Sequence, residues 1–471
     1  MDHGQTRTPD MNVITPELRE RLLADDTDAV RDALAAAHPA DAANEIAGLP
    51  VREAARMLTL MPTHRQGAVF GYFEPDLQIE IARALPRPAL AAVVTAMSHD
   101  ERADVFRRLD ERQKSTLLPA LAQAEREDIR RLAAYAEGSA GSVMTSDYAT
   151  LSPAMTAGEA IDALRKEAPD AETIYNAYVV DDDRVLLAAV TLRDLVLAEP
   201  GTPLDSLMNR DFISARVDEP REAVARRIGE YDLMAIPVLS EGGRIVGIVT
   251  QDDAMDILEE ETTETMLQKA GLTTFPASEE HIRSDRLING PLFYPVRVRL
   301  MFLIITLIGG LIVGGLVETF EDVLEAVVAT AIFIPLIMDM GGNVGTQSTT
   351  IFARGYALGQ IKFEQYSAVL WRELRVGAML GLIIGVMAGA VAWWWQGAPN
   401  DIPQLGVAVG VSLFITITLA AVLGFILPYV MVKIGVDHAP GADPFVTTIK
   451  DFTGLLVYFL LVGWLLGVEM G

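Results

Sequence analysis

Asp339 and Asp451 are carboxylates set within stretches apolar enough to cross a membrane, the first in PLIMDMGGNVGTQSTT and the second in ADPFVTTIKDFTGLL. A carboxylate at such depth costs roughly 3 kcal/mol or more, so it is read by default as lining a pathway. Asp443, Thr447, Asp451, Gly454 and Tyr458 follow one another at spacings of 4, 4, 3 and 4, which puts them on one helical face. A polar stripe on an otherwise apolar helix suits a hydrated cation path. The bland alternative is packing: Asp451 pairs with Lys450 or a neighbouring helix, while Lys450, on an adjacent face, snorkels to the cytoplasmic surface. Between Pro335 and Thr350, Gly341, Gly342 and Gly345 allow close helix contact, and Asn343, Gln347, Ser348, Thr349 and Thr350 add polar groups that close packing alone does not require.

A second acidic constellation lies outside the apolar stretches. The run QDDAMDILEEETTETMLQKAGL carries Asp252, Asp253, Asp256, Glu259, Glu260, Glu261 and Glu264 with a single Lys. Like charges at three- and four-residue spacing weaken a helix unless something neutralises them, although a solvated acidic connector is the ordinary reading of such a run. Two Thr-x-x-Asp turns, Thr191 to Asp194 and Thr250 to Asp253, each precede a helical pattern. Hydroxyl and carboxylate there can hold the ribose of an adenosine nucleotide such as ATP, or act as a plain helix cap.

Composition limits the alternatives. The 471 residues hold 64 Asp+Glu against 38 Lys+Arg, a formal charge of −26, yet 51% of them are hydrophobic. From Arg286 onward there are 12 acids and 9 bases, so the front part carries −23 and the back part −3. So acidic a front part argues against nucleic acid and favours cations. Zero cysteines exclude thiolate metal sites, disulfides and cysteine nucleophiles, and six scattered histidines disfavour a transition-metal cage, which leaves hard, oxygen-ligated metals. Neither a Walker loop nor a zinc signature nor a nucleophile-plus-base arrangement stands out, so an enzyme is not expected. The polar, acidic start predicts no cleaved leader.

The elements that must position these residues follow from periodicity. Five apolar stretches, near 297–317, 325–346, 374–396, 405–434 and 445–468, are each long enough to cross a hydrocarbon core of about 30 Å as helices. Arg297 and Arg299 precede the first, the next loop carries Glu318, Glu321, Asp322 and Glu325, and Arg354, Lys362, Arg372 and Arg375 fill the loop after that. Basic loops stay inside, which predicts a cytoplasmic N-terminal part and an outside C-terminus. Residues 17–137 read as short helices broken at Leu49-Pro50, Met61-Pro62, Leu85-Pro86 and Leu118-Pro119, either a wound helical stack or an irregular bundle. Residues 143–260 are duplicated, with an offset of 64 between Met144 and Met208 and of 59 between Asp194 and Asp253. Each copy reads strand, helix, two strands, then the Thr-x-x-Asp turn into a helix. This order resembles the tandem cystathionine-β-synthase (CBS) repeat, a regulatory module.

PLIMDMGGNVGTQSTT followed by DPFVTTIKDFTGLL, behind a tandem CBS module and an acidic helical domain, resembles the MgtE family of magnesium channels and transporters. The resemblance implies a multi-domain membrane protein: a tail over 1–16, an acidic α-helical N-terminal domain over 17–137, α+β CBS repeats over 138–203 and 204–257, a connecting or plug helix over 258–292, and a five-helix transmembrane domain over 293–471. It implies a homodimer in the lipid of the inner membrane, a pore along the dyad, and Asp451 as the pore carboxylate that binds hydrated Mg²⁺, with Asp443 and Thr447 on the same face. Mg²⁺ sheds water reluctantly, which suits reading its hydration shell by carboxylate and carbonyl. It further implies Mg²⁺ sensing by Asp253, Asp256, Glu261 and Glu264 of the connector, by Glu222 and Asp232 of the second repeat, and by Asp100 or Asp104 of the N-terminal domain. One position expected to be acidic is Pro220, beside Glu219. Mg²⁺ bridging these surfaces would hold the pore shut. The rivals are a proton- or sodium-coupled transporter of Mg²⁺ or Co²⁺ and a nucleotide-responsive receptor merely anchored in the membrane.

Overall fold

A computed structural model describes residues 27–167, 171–269, 287–288, 290–357, 360–434 and 442–467. The tail expected over 1–16, and 270–286 of the expected connecting segment, lie outside the described residues, as does the side chain of Asp443. The chain divides at Glu259 and Glu260 into two compact units.

Among its described residues the first unit begins with nine short helices: α1 (Thr27–Ala36), α2 (Pro39–Ala47), α3 (Val51–Leu60), α4 (Thr63–Gly71), α5 (Pro75–Ala84), α6 (Arg87–Thr95), α7 (His99–Arg108), α8 (Glu111–Leu117) and α9 (Gln123–Leu132). Pro50, Pro62 and Pro86 stand in extended backbone as the caps that start α3, α4 and α6, because a fixed φ and a missing N–H cost nothing there. Each helix packs on the second one along: α1 on α3, α2 on α4, and so on to α7 on α9. That alternation is a wound stack, not an irregular bundle. Its apolar faces meet in one core around Leu34, Ile46, Met57, Phe70, Ile81 and Val93.

A short helix, α10 (Ala140–Val143), leads into two copies of one motif: β1 (Tyr148–Leu151), α11 (Ala157–Glu167), β2 (Thr173–Val180), β3 (Leu186–Thr191) and α12 (Leu192–Leu197), then β4 (Ala215–Arg216), α13 (Arg221–Glu230), β5 (Ala235–Leu239), β6 (Ile245–Thr250) and α14 (Gln251–Lys269). In each, the first strand runs parallel to the second and the second antiparallel to the third. The copies share a core of Tyr178, Leu186, Ala235, Ile245 and Ile248. Ala103 of α7 and Leu132 of α9 are buried in the core of the second copy, so the helical stack and the repeats are joined by apolar packing.

Among the described residues the second unit holds five helices long and apolar enough to span a membrane: Phe293–Thr319, Val328–Tyr356, Tyr366–Gly397, Gln404–Lys433 and Thr447–Leu466. Their α-helical parts are α15 (Phe293–Thr319), α17 (Ile334–Ala357), α18 (Tyr366–Ala392), α19 (Gln404–Lys433) and α20 (Ala442–Leu466), with a short α16 (Glu321–Ala326) after α15. Gly385 and Gly389 of α18 face Gly406 and Gly410 of α19, Gly381 lies against the backbone of Phe414, and a Cβ on Gly385 would lie 2.5 Å from the carbonyl oxygen of Gly410. Small residues at this spacing let two backbones touch, which is how helices gain contact where lipid removes the hydrophobic drive.

Candidate cation sites

The first unit gathers carboxylates where the helical stack meets the repeats. Ser98 starts α7, which sets Asp100 and Glu101 in its first turn, and Thr250 ends β6, which sets Asp253 in the first turn of α14. A helix N-terminus favours negative charge. The Thr250 hydroxyl donates to Asp253 Oδ2 at 2.5 Å. Burial, then the repulsion of Glu101 and Glu172, pushes the Asp100 carboxyl up to about 7. Asp253 is pushed up to about 8 by burial first and by Asp100 next, and Glu101 to about 7 by burial, with Glu172 and Asp253 adding to it. Glu172, just before β2, is raised by burial and by Asp147 and Asp252. These acids resist ionising together, and a cation among them removes that resistance.

The cluster is flanked by a polar clasp. His99 Nδ1 lies 2.6 Å from Ser146 Oγ, 2.9 Å from Asp147 Oδ1 and 3.1 Å from Asp128 Oδ2, and Arg107 donates to the carbonyl of Ser142 at 2.7 Å. Both tie α7 to the first residues of the CBS module.

Not every sequence candidate joins the cluster. Asp104 is bonded to Arg107, Glu222 accepts from Arg221 at 3.2 Å, and Glu219, beside Pro220, accepts from Arg227 at 2.8 Å. Asp232 is exposed, with a left-handed φ of 51° in the turn after α13. Asp256 is exposed on α14, and Glu261 and Glu264 lie on the last part of that helix. The Thr191 hydroxyl donates to Asp194 Oδ2 at 2.6 Å and accepts from the Asp194 amide, the geometry of a cap. Glu101 and Glu172 were missed by the sequence reading. Glu101 is signalled only by its place next to Asp100, and Glu172 by nothing local, since it arrives through the fold. Among the described residues no three His, Asp or Glu side chains are grouped closely enough to hold a metal ion as they stand.

In the second unit Asp451 is half-buried on α20, its Oδ1 3.9 Å from where a Cβ on Gly342 would stand. Gly454 meets Thr416 of α19, whose hydroxyl donates to the Gly454 carbonyl at 3.5 Å. Tyr458 is buried and donates to the Thr330 carbonyl at 2.8 Å, so this member of the stripe is bound into packing. Thr447 is half-buried. Lys450 corrects the snorkelling expectation: it is 2% exposed, its chain laid where a Cβ on Gly345 would otherwise stand. Asp339, Asn343, Gln347 and Thr350 of α17 are all exposed, and their spacings of 4, 4 and 3 place them on one face. An exposed polar face at this depth finds no partners in lipid; it needs water or a second chain.

Comparison with known proteins agrees with this layout. The pattern of a family described as a divalent cation transporter, MgtE, matches residues 334–461, that of the MgtE intracellular N domain matches 37–138, and that of the CBS domain matches 140–201 and 204–260. The magnesium transporter MgtE of Thermus thermophilus is 36% identical over 454 residues, 95% of this chain and 98% of the relative. The chain belongs to the MgtE family. MgtE of Bacillus subtilis is 32% identical over 89% of this chain and 90% of its own length. A crystal structure of the cytosolic domain of the Mg²⁺ channel MgtE in complex with ATP is 37% identical, covering 51% of this chain and 98% of that one with a TM-score of 0.49. MgtE membership makes this a membrane protein, with the five apolar helices as its spans.

Proposed function

We propose that the protein is a Mg²⁺ channel for magnesium uptake, a homodimer in the inner membrane with its N-terminal part in the cytoplasm and its C-terminus outside. One observation carries the conduction reading: the exposed polar face of α17, Asp339, Asn343, Gln347 and Thr350, on the helix whose Gly342 approaches Asp451. A second copy placed on a two-fold axis would turn that face and the two Asp451 carboxylates into a water-filled lumen of negative charge. Asp451 reads the hydration shell of the ion, with Thr447 and Asp443 on the same helix toward the cytoplasmic end.

The acids at the junction of stack and repeats supply the sensor. Cytosolic Mg²⁺ shared by Asp100, Glu101, Glu172 and Asp253 lowers their mutual repulsion and holds the stack on the CBS module, the state that keeps the pore shut. Asp256, Glu261 and Glu264 extend the acidic surface along α14 for further ions, and Asp104, Glu222 and Asp232 join only where Mg²⁺ displaces arginine or reaches an exposed turn. An adenosine nucleotide such as ATP would use the hydroxyl–carboxylate pairs at Thr191 and Asp194 and at Thr250 and Asp253, which makes it a competitor or helper of the ion at Asp253. The test is Mg²⁺ uptake into proteoliposomes by wild type and Asp451→Asn. Uptake by wild type and its loss in the variant support conduction through Asp451; equal uptake by both refutes it.

A further inference from the structure

Among the described residues, one lysine and one carboxylate lie buried among the spans outside the polar face: Lys450, 2% exposed, and Glu373, 9% exposed. Glu373, two turns into α18, accepts a hydrogen bond from Ser348 Oγ of α17 at 2.6 Å, and Ser348 is itself 2% exposed. A bond from a hydroxyl to a buried carboxylate is short and strong. Ser348 stands three residues beyond Gly345, on the face that receives the chain of Lys450. From the other side Gly424 of α19 closes on the same turn: a Cβ there would lie 2.6 Å from the Gly345 carbonyl oxygen and 2.8 Å from Ser348 Cβ. Four helices therefore meet at one turn of α17, and the residue after Lys450 is Asp451. A shift or rotation of that turn unseats Lys450 and carries the carboxylate of Asp451 with it.

We propose that Glu373 is a positioning residue for ion passage: through Ser348 it fixes the depth and rotation of α17, and so the seat of Lys450 and the place of Asp451. The carboxylate touches no ion. A buried carboxylate is costly in lipid, and an apolar residue would fill the same space between α17 and α18 at less cost. What the acid supplies instead is one directed bond that a helix sliding past its neighbour would have to break.

This inference rests on the conduction reading, and its test separates the two. Glu373→Ala, Glu373→Gln, Ser348→Ala and the double alanine variant are compared for Mg²⁺ uptake per inserted protein. Glu373→Ala and Ser348→Ala should each raise the half-saturating Mg²⁺ roughly tenfold, the loss expected of a hydrogen bond to a charged group. The double variant should do no worse than either single one, and Glu373→Gln, which keeps an acceptor, should stay near wild type. Unchanged half-saturation in the alanine variants, additive losses, or a Gln variant as impaired as Ala overturns the proposal. Because the chain has no cysteine, Asp451→Cys reports the same geometry without any flux. Its rate of modification by a charged thiol reagent should change several-fold on adding Ser348→Ala, and an unchanged rate counts against positioning. If wild type takes up no Mg²⁺, the conduction reading falls and the cysteine rates alone decide the role of Glu373.

Discussion

Asp100, Glu101 and Asp253 fold with carboxyls raised to about 7, 7 and 8, and the sign of the consequence is definite. A raised acid contributes fully to metal-free stability below the ordinary carboxylate range and loses that contribution as pH rises through its folded value. Without Mg²⁺, the hold of the stack on the CBS repeats should therefore loosen progressively as pH rises from the ordinary carboxylate range to about 8, seen as faster proteolysis near residues 133–147. Mg²⁺ binding should run the other way, weakening as pH falls from 8 to 6, because the ligands must be deprotonated; titration calorimetry at the two pH values checks it. An affinity independent of pH would remove these acids from the site. The sequence made Asp100 and Asp253 legible through charge density and motif position. Glu172 was not legible, because it meets them only once β2 is laid against β1, nor was Lys450, whose burial depends on Gly345 lying opposite.

At the scale of elements, the apolar runs announced five spans, since twenty uninterrupted apolar residues have few other fates. The duplicated strand and helix order likewise announced two copies of one motif. The wound stack was less legible: proline marks where the short helices start, but which helix touches which is set by packing of every second neighbour. The glycines of α18 and α19 give a test that separates packing from positioning. Gly410→Val, far along α19 from Gly424, drives a side chain into the Gly385 carbonyl, 2.8 Å from a Cβ at that position. It should cost about 1–3 kcal/mol, lower the melting temperature in detergent, and leave half-saturating Mg²⁺ unchanged. Gly424→Val, at the Ser348 and Gly345 turn, should lower the melting temperature and shift half-saturation as well. Equal effects on both readouts for the two variants would mean that this turn has no special tie to Asp451.

For the whole molecule, the net charge of −26 resolves into a front part at −23 and a nearly neutral spanning part. Concentrated negative charge opposes compaction, so the front part should be compact only when cations share it. Limited proteolysis of the full chain should accordingly slow at roughly millimolar Mg²⁺, the weak end of oxygen-ligand affinities, and Asp100→Asn with Asp253→Asn should blunt that response. The central claim is that the acids at the junction of stack and repeats set the pore's response to cytosolic Mg²⁺. It is tested most directly by recording single-channel currents from reconstituted protein while Mg²⁺ on the cytosolic face is raised. Open probability of the wild type should fall steeply with Mg²⁺, and the paired Asn variant should show a flattened dependence with an unchanged unitary current. A variant whose open probability follows Mg²⁺ as the wild type's does would contradict the account.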